Sequence, residues 1–114
     1  MTVPRLKAGL FVRALIRRAE VAGAQAYVLR KGVEESGAIF LKVSKLDGTT
    51  TVLSQARRGE GELVWVKPLG EAVDEEKAAA WFEKQIKFDS DLWIVEIEDR
   101  EGRAFVDEPV VSNP

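Results

Sequence analysis

Residues 81–103 read WFEKQIKFDSDLWIVEIEDREGR, and the order of elements inside this stretch decides the fold. Trp81, Phe82 and Ile86 continue one stripe of a helix whose other side carries Glu83, Lys84 and Lys87, the 3.6-residue pattern of a surface helix. Phe88-Asp89-Ser90-Asp91 follows, a turn whose short polar side chains can accept backbone N–H groups. A strand is then predicted over 92–98. Trp93, Val95 and Ile97 lie on one side, while Leu92 and Ile94 open the other side before Glu96 and Glu98 replace them. A strand that begins apolar on both faces needs neighbours and cover, so it belongs beside other strands rather than at a far edge. Asp99-Arg100-Glu101-Gly102 turns the chain again, with a short return expected at Ala104 to Val106.

Working outward, Ala8, Phe11, Val12, Leu15, Ala19 and Ala22 share one helical face opposite Arg13, Arg17 and Glu20, which predicts a helix over 8–22 closed by Gly23. Strands are predicted over 24–31, 38–46, 49–57 and 62–67 from β-branched and aromatic runs bounded by GVEESG, Asp47-Gly48 and RGEG. Asp47-Gly48 reads as a two-residue hairpin turn. Pairing outward from it sets Val43 opposite Val52, Leu41 opposite Ser54 and Ile39 opposite Ala56. A second helix is predicted over 74–87, with Asp74 as N-cap and Glu75 and Glu76 favourably placed at its positive end. The tail 107–114, with two prolines, is expected to be mobile.

The element order is α-β-β-β-β-α-β, which is an α+β class: a mainly antiparallel sheet of about five strands, made of a four-strand meander and one strand after helix two, with two helices. The meander carries a second apolar set, Phe40, Leu53, Val64 and Val66, which a sheet with one wet face would not need. Either a helix covers each face or these residues mediate self-association, and the sequence favours partial cover with homodimerisation.

Composition narrows the rest. The 114 residues are 46% hydrophobic and 32% charged, with nine Gly and four Pro, a balance suited to one globular domain spanning 1–114. Neither Cys nor His occurs, which removes disulfides, thiolate metal sites, the Ser-His and Cys-His catalytic pairs and a histidine base. Arg13, Arg17 and Arg18 interrupt the first apolar run before it could form a signal-peptide core, and no run reaches the ~18 apolar residues of a membrane span. A cytoplasmic location without membrane contact is therefore expected. Net charge is −2, but residues 1–67 carry 12 Lys/Arg against 6 Asp/Glu (+6) and residues 68–114 carry 5 against 13 (−8).

RLKAGLFVRALIRRAEVAGA, the central KVSKLDG and the closing QIKFDSDLWIVEIEDREGR together resemble an uncharacterised bacterial family, domain of unknown function 1491, from about Arg5 to Phe105. The resemblance implies a single compact domain. It brings no activity, cofactor or functional residue to carry over.

Two polar sets are candidates for binding. Arg13, Arg17 and Arg18 on helix one, with Arg30, Lys31, Arg57 and Arg58 at strand ends, could hold nucleic acid or a nucleotide through charge-assisted bonds and counterion release, or could be a solvated face. Asp89 and Asp91, with Glu96, Glu98 and Asp99, could supply carboxylates for acid/base chemistry or a hard cation, or could simply cap the turn and pair across strands. The binding candidates are thus Arg13, Arg17, Arg57, Asp89 and Asp91. Trp65, Trp81 and Trp93 are expected in one core, with Gln85 as the polar group nearest to it. No residue is marked as catalytic, no metal-ligand set is seen and no cofactor is implied. The function favoured is a small non-catalytic binding or interaction module, with a nucleic-acid accessory protein and a carboxylate-dependent enzyme as alternatives.

Overall fold

A computed structural model describes residues 7–112. The elements run α1 (Ala8–Val21), β1 (Gln25–Arg30), β2 (Ile39–Ser44), β3 (Thr49–Arg58), β4 (Glu62–Val66), β5 (Val73–Asp74), α2 (Glu75–Phe88) and β6 (Trp93–Glu98). The fold is α+β, with one mixed, mostly antiparallel sheet and two helices, in the predicted order apart from the two-residue β5.

Strand order in the sheet is β1-β6-β2-β3-β4, with β5 paired to the start of β3. The expected four-strand meander is therefore corrected to three strands, β2-β3-β4, because β6 inserts between β1 and β2. It pairs antiparallel to β1 and parallel to β2. The physical reason lies in the two strands' side chains. Leu92 and every residue from Trp93 to Val95 are buried, so β6 gains from hydrogen-bonding neighbours on both sides and cover on both faces. In β1 only Ala26 is buried, a strand suited to the sheet's edge.

Register across the β2–β3 turn also differs from the expectation by one residue. Val43 faces Thr51, and Leu41 faces Leu53. The turn uses three residues, not two: Lys45 N–H donates to Thr49 O, and both Leu46 (φ +64°) and Gly48 (φ +90°) are left-handed. The Asp47 carboxylate accepts from the backbone N–H and hydroxyl of Thr49 at 3.0 and 2.6 Å, which fixes the wider loop and holds the Asp47 pKa below the usual carboxylate value. A one-residue shift exchanges the faces of a strand. Leu53 therefore joins Ile39, Leu41 and Val43, and Val52 moves to the opposite side.

Each face is covered by one helix. On the first, Val12, Leu15 and Ala19 of α1 pack with Leu41, Leu53, Trp65, Trp93, Val95 and Ile97. On the second, Ala78 and Phe82 of α2 pack with Val52, Leu92 and Ile94, flanked by Phe40 and Trp81. The three tryptophans thus do not meet in one core, since the sheet separates Trp81 from Trp65 and Trp93. Asp74 caps α2 as expected, its carboxylate accepting the Lys77 N–H at 2.8 Å. Helix α1 has no side-chain cap of its own. Instead the Ala8 and Gly9 N–H groups donate to the carbonyls of Glu35 and Glu34 in the β1–β2 loop.

Ala104 to Val106 form no strand. They pack against the α1-side core, with Arg18 Nε donating to Phe105 O at 3.0 Å. Where the tail was expected to be mobile, it instead lies along β4: Trp65 N–H donates to Pro109 O, Val111 N–H donates to Trp65 O, and Trp65 Nε1 donates to Glu108. Asn113 and Pro114, at its end, lie outside the described residues.

Candidate interaction edge at the first strand

The two sides of the sheet end differently. Beyond β4 the polypeptide itself adds a parallel bridge, Trp65 to Val110, so that edge is paired at Trp65. Beyond β1 no strand pairs among the described residues. There Tyr27, Val28 and Leu29 are 39, 40 and 49% exposed, three consecutive apolar side chains beside unpaired backbone. The β1–β6 ladder is straight from Gln25 to Val28 and shifts between Val28 and Arg30, so Leu29 is the residue of a bulge.

Behind this edge, on the α2 side of the sheet, lies a polar array that α2 does not cover. The Tyr27 hydroxyl lies 2.8 Å from Glu96 Oε2 and 2.7 Å from Glu98 Oε2, its single proton serving both acceptors. Those hydrogen bonds, Glu98 first, together with partial burial, raise the Tyr27 pKa well above the usual tyrosine value. The ring is thereby drawn over β6 and away from the open edge. Lys42 on β2 bridges Glu75 of α2 and Glu96. Burial works against charge on Lys42, but the two carboxylates outweigh it and hold its pKa above the ordinary lysine value.

At the Gln25 end of β1 the surface opens into a cleft of about 340 Å³, lined by Gly23, Ala24, Gln25, Glu98, Arg100 and Glu101 among others. Asp99 at its floor is 7% exposed and is gripped by Arg103, whose Nε and Nη2 donate to the two carboxylate oxygens at 2.9 Å. That guanidinium holds the Asp99 pKa below the usual carboxylate value, and Arg103 also reaches Glu101 at 3.2 Å. The opposite end of β1 is basic, with Arg30 and Lys31.

The five binding candidates chosen from sequence are not brought together by any hydrogen bond or ion pair. Arg13 Nη2 pairs with Glu34 Oε1 at 2.8 Å, across the start of α1. Arg17 is exposed on the next turn. Arg57 donates to Gly61 O within its own hairpin, and Arg58 pairs with Glu62. Asp89 accepts the Asp91 N–H at 2.9 Å, a local turn bond, while the Asp91 carbonyl accepts from Val33 N–H. Among the described residues no group of three acidic side chains is placed to hold a metal ion, and no helix is long and apolar enough to cross a membrane.

The expected self-association set does not form one exposed face either. Leu53 is buried under α1, Val64 is fully buried and Phe40 lies 5.4 Å from Trp81 beneath α2. Sequence reading missed Tyr27 as a site residue, because its place at a sheet edge depends on β6 pairing on one side of β1 only. It expected Glu96 and Glu98 at a solvent-facing strand edge; the structure half-buries both, the Glu96 side chain being 12% exposed, and gives them a common donor in Tyr27.

A family model for a protein of unknown function, DUF1491, matches residues 6–107. The chain belongs to this family. Solved DUF1491 structures are similar over nearly the whole length. A crystal structure of a DUF1491 protein from Caulobacter crescentus CB15 is 44% identical with TM-score 0.87, covering 94% of this chain and 100% of that one. An NMR structure of a DUF1491 protein from the same organism, also 44% identical, gives TM-score 0.84 over 96% and 100%. The solution structure of protein Atu0922 from A. tumefaciens is 36% identical, with TM-score 0.78 over 97% and 98%. No curated protein matches the chain.

Proposed function

We propose that this DUF1491 protein is a small non-catalytic interaction module that accepts an extended polypeptide strand along the open edge of β1. The observation that carries this reading is the asymmetry of the sheet: the β4 edge is paired at Trp65 by the chain's own Pro109 to Val111, while the β1 edge presents Tyr27, Val28 and Leu29 with nothing paired beyond them among the described residues. An exposed edge offers a row of backbone donors and acceptors, and proteins that do not use such an edge shield it with charge, proline or cover. Bulges shield edges too, and here both the bulge at Leu29 and the charge of Arg30 and Lys31 are confined to one end, leaving Gln25 to Val28 straight. Strand addition would draw affinity from main-chain bonds and specificity from alternate side chains. The polar array behind the edge supports binding over catalysis, since Tyr27, Lys42 and Asp99 are each committed to partners within the fold.

The test is a backbone NMR titration with a peptide of residues 24–31, whose sequence is known to be compatible with an edge strand. Shifts and slowed amide exchange confined to Gln25 through Leu29 are expected. Changes centred on α1, on the 89–91 turn or nowhere would sink the reading.

A further inference from the structure

We infer that the partner at this edge is a second copy of the same chain, joined by antiparallel β1–β1 pairing about a twofold axis at Tyr27, with Lys31 of each copy entering the cleft beside Glu98 and Glu101 of the other. This inference rests on the strand-addition reading above and names its occupant.

Three features of β1 make it complementary to itself. The first is parity. In an antiparallel pair, residues directly opposite share a face, so two copies related by a twofold axis normal to the sheet must pair a residue with its own counterpart. Centring on Tyr27 keeps the contact within the straight part of the strand, with Ala26 opposite Val28 and the bulge at Leu29 reached only at the ends. Both sheet faces then continue across the junction.

The second is space at the axis. A tyrosine facing its own copy would crowd if the ring leaned outward, but the hydroxyl is held over β6 by Glu96 and Glu98. Two such rings leave the junction free on the α2 side, while Val28 adds apolar surface on the α1 side.

The third is charge. Strand β1 is basic at its C-terminal end, and the cleft at its N-terminal end contains Glu98 and Glu101 with Arg100. Antiparallel pairing brings opposite ends together. Beyond the Leu29 bulge, the Tyr27 register brings the Arg30–Lys31 end of each copy to the Gly23–Ala24 end of the other, where Gly23 and Ala24 line the cleft. Gly23 has φ +91° and nothing within 4 Å of where a side chain would begin, so the approach is open. A parallel arrangement, or an unrelated strand lacking a basic end, would leave the cleft unfilled. Complementary charge of this kind fixes register and partner more than it adds affinity.

The experiment is a charge exchange read by sedimentation velocity. Lys31→Glu alone and Glu101→Lys alone each place like charges at both symmetric contacts while leaving the Tyr27 hydrogen bonds to Glu96 and Glu98 in place, and each is expected to weaken dimerisation at least tenfold. An equimolar mixture of the two variants restores opposite charges at both contacts, so dimers should reappear in the mixture and should fall again as salt screens the pairs. Circular dichroism of each variant alone checks that it is folded. A native chain that stays monomeric at millimolar concentration, or dimers that neither variant weakens, would overturn the inference. A monomer whose β1 amides still respond to the 24–31 peptide would overturn self-pairing while leaving strand addition standing.

Discussion

A side chain on Gly32 would begin 2.3 Å from the carbonyl oxygen of Asp91, so the β1–β2 loop and the turn before β6 touch backbone to backbone. Gly37 stands equally close to the same oxygen. Between them the loop wraps Trp93, whose Nε1 donates to Val33 O at 2.8 Å while Val33 N–H returns a bond to Asp91 O. Because a backbone oxygen cannot swing aside, Gly32→Ala and Gly37→Ala should each destabilise by about 1–3 kcal/mol or more, the cost of overpacking a tight contact. Gly9→Ala offers a control. The atoms nearest its new carbon belong to the end of the Glu34 side chain, which can move, so the loss should stay within about 1 kcal/mol and consist of the Arg13 pair and the carboxylate at the helix start. Urea unfolding of the three variants gives the comparison.

Removing residues 107–114 should expose the β4 edge and the Trp65 indole. The expected outcome is a red-shifted tryptophan emission, a lower melting temperature and concentration-dependent aggregation, because an unshielded edge templates association. Glu108→Ala, which removes only the acceptor of Trp65 Nε1, should cost about 1–3 kcal/mol by leaving a buried donor unpaired.

Tyr27 is the only tyrosine in the chain, so absorbance near 295 nm titrates that residue alone. Its folded pKa is raised above the ordinary value of about 10. The group therefore contributes its full stabilisation below pH ~10 and loses it as the pH climbs toward the raised value. No tyrosinate should form in the native protein near pH 10. In Glu98→Gln the titration should move back toward the ordinary value, and an unmoved curve would show that Glu98 is not the main cause.

Asp99 behaves in the opposite sense. Its folded pKa is depressed by Arg103, so its contribution is present above the unfolded value of about 4 and fades as the pH falls through the lower folded value. Asp99→Asn should destabilise at neutral pH by about 1–3 kcal/mol, since the guanidinium and the Arg103 N–H lose a charged acceptor. The difference from the native protein should shrink below pH 3. Chemical denaturation at pH 7 and pH 3 measures both points.

Much of this architecture is local in origin, and the sequence alone determined it. The stripe of Val12, Leu15 and Ala19, the cap at Asp74 and the stripe of Ala78 and Phe82 each depend on residues within a few positions of one another, which is why both helices fell within one or two residues of their predicted bounds. The stretch from Trp81 to Arg103 likewise carried the evidence that its strand is interior: Leu92, Trp93, Ile94 and Val95 have no polar face to give to solvent. Asp89 as a turn cap was also legible, because its bond reaches only to Asp91.

Tertiary structure decided the rest, because the rest depends on residues far apart in the chain. Which strands flank β6 depends on partners 54 to 73 residues away, and periodicity records how many faces a strand buries, never which neighbour it pairs with. The turn at Leu46 to Gly48 gained its third residue from a left-handed Leu46, a conformation that residue type does not announce. That single step placed Leu53, one of the expected self-association residues, under α1 and Val52 under α2, while Phe40 kept its expected face and is covered there by α2. The open edge at β1 is a tertiary fact of the same kind. Tyr27, Val28 and Leu29 look like any half-buried strand in sequence. They become an edge only because β6 occupies one side of β1 and the tail is spent on the far edge beside Trp65.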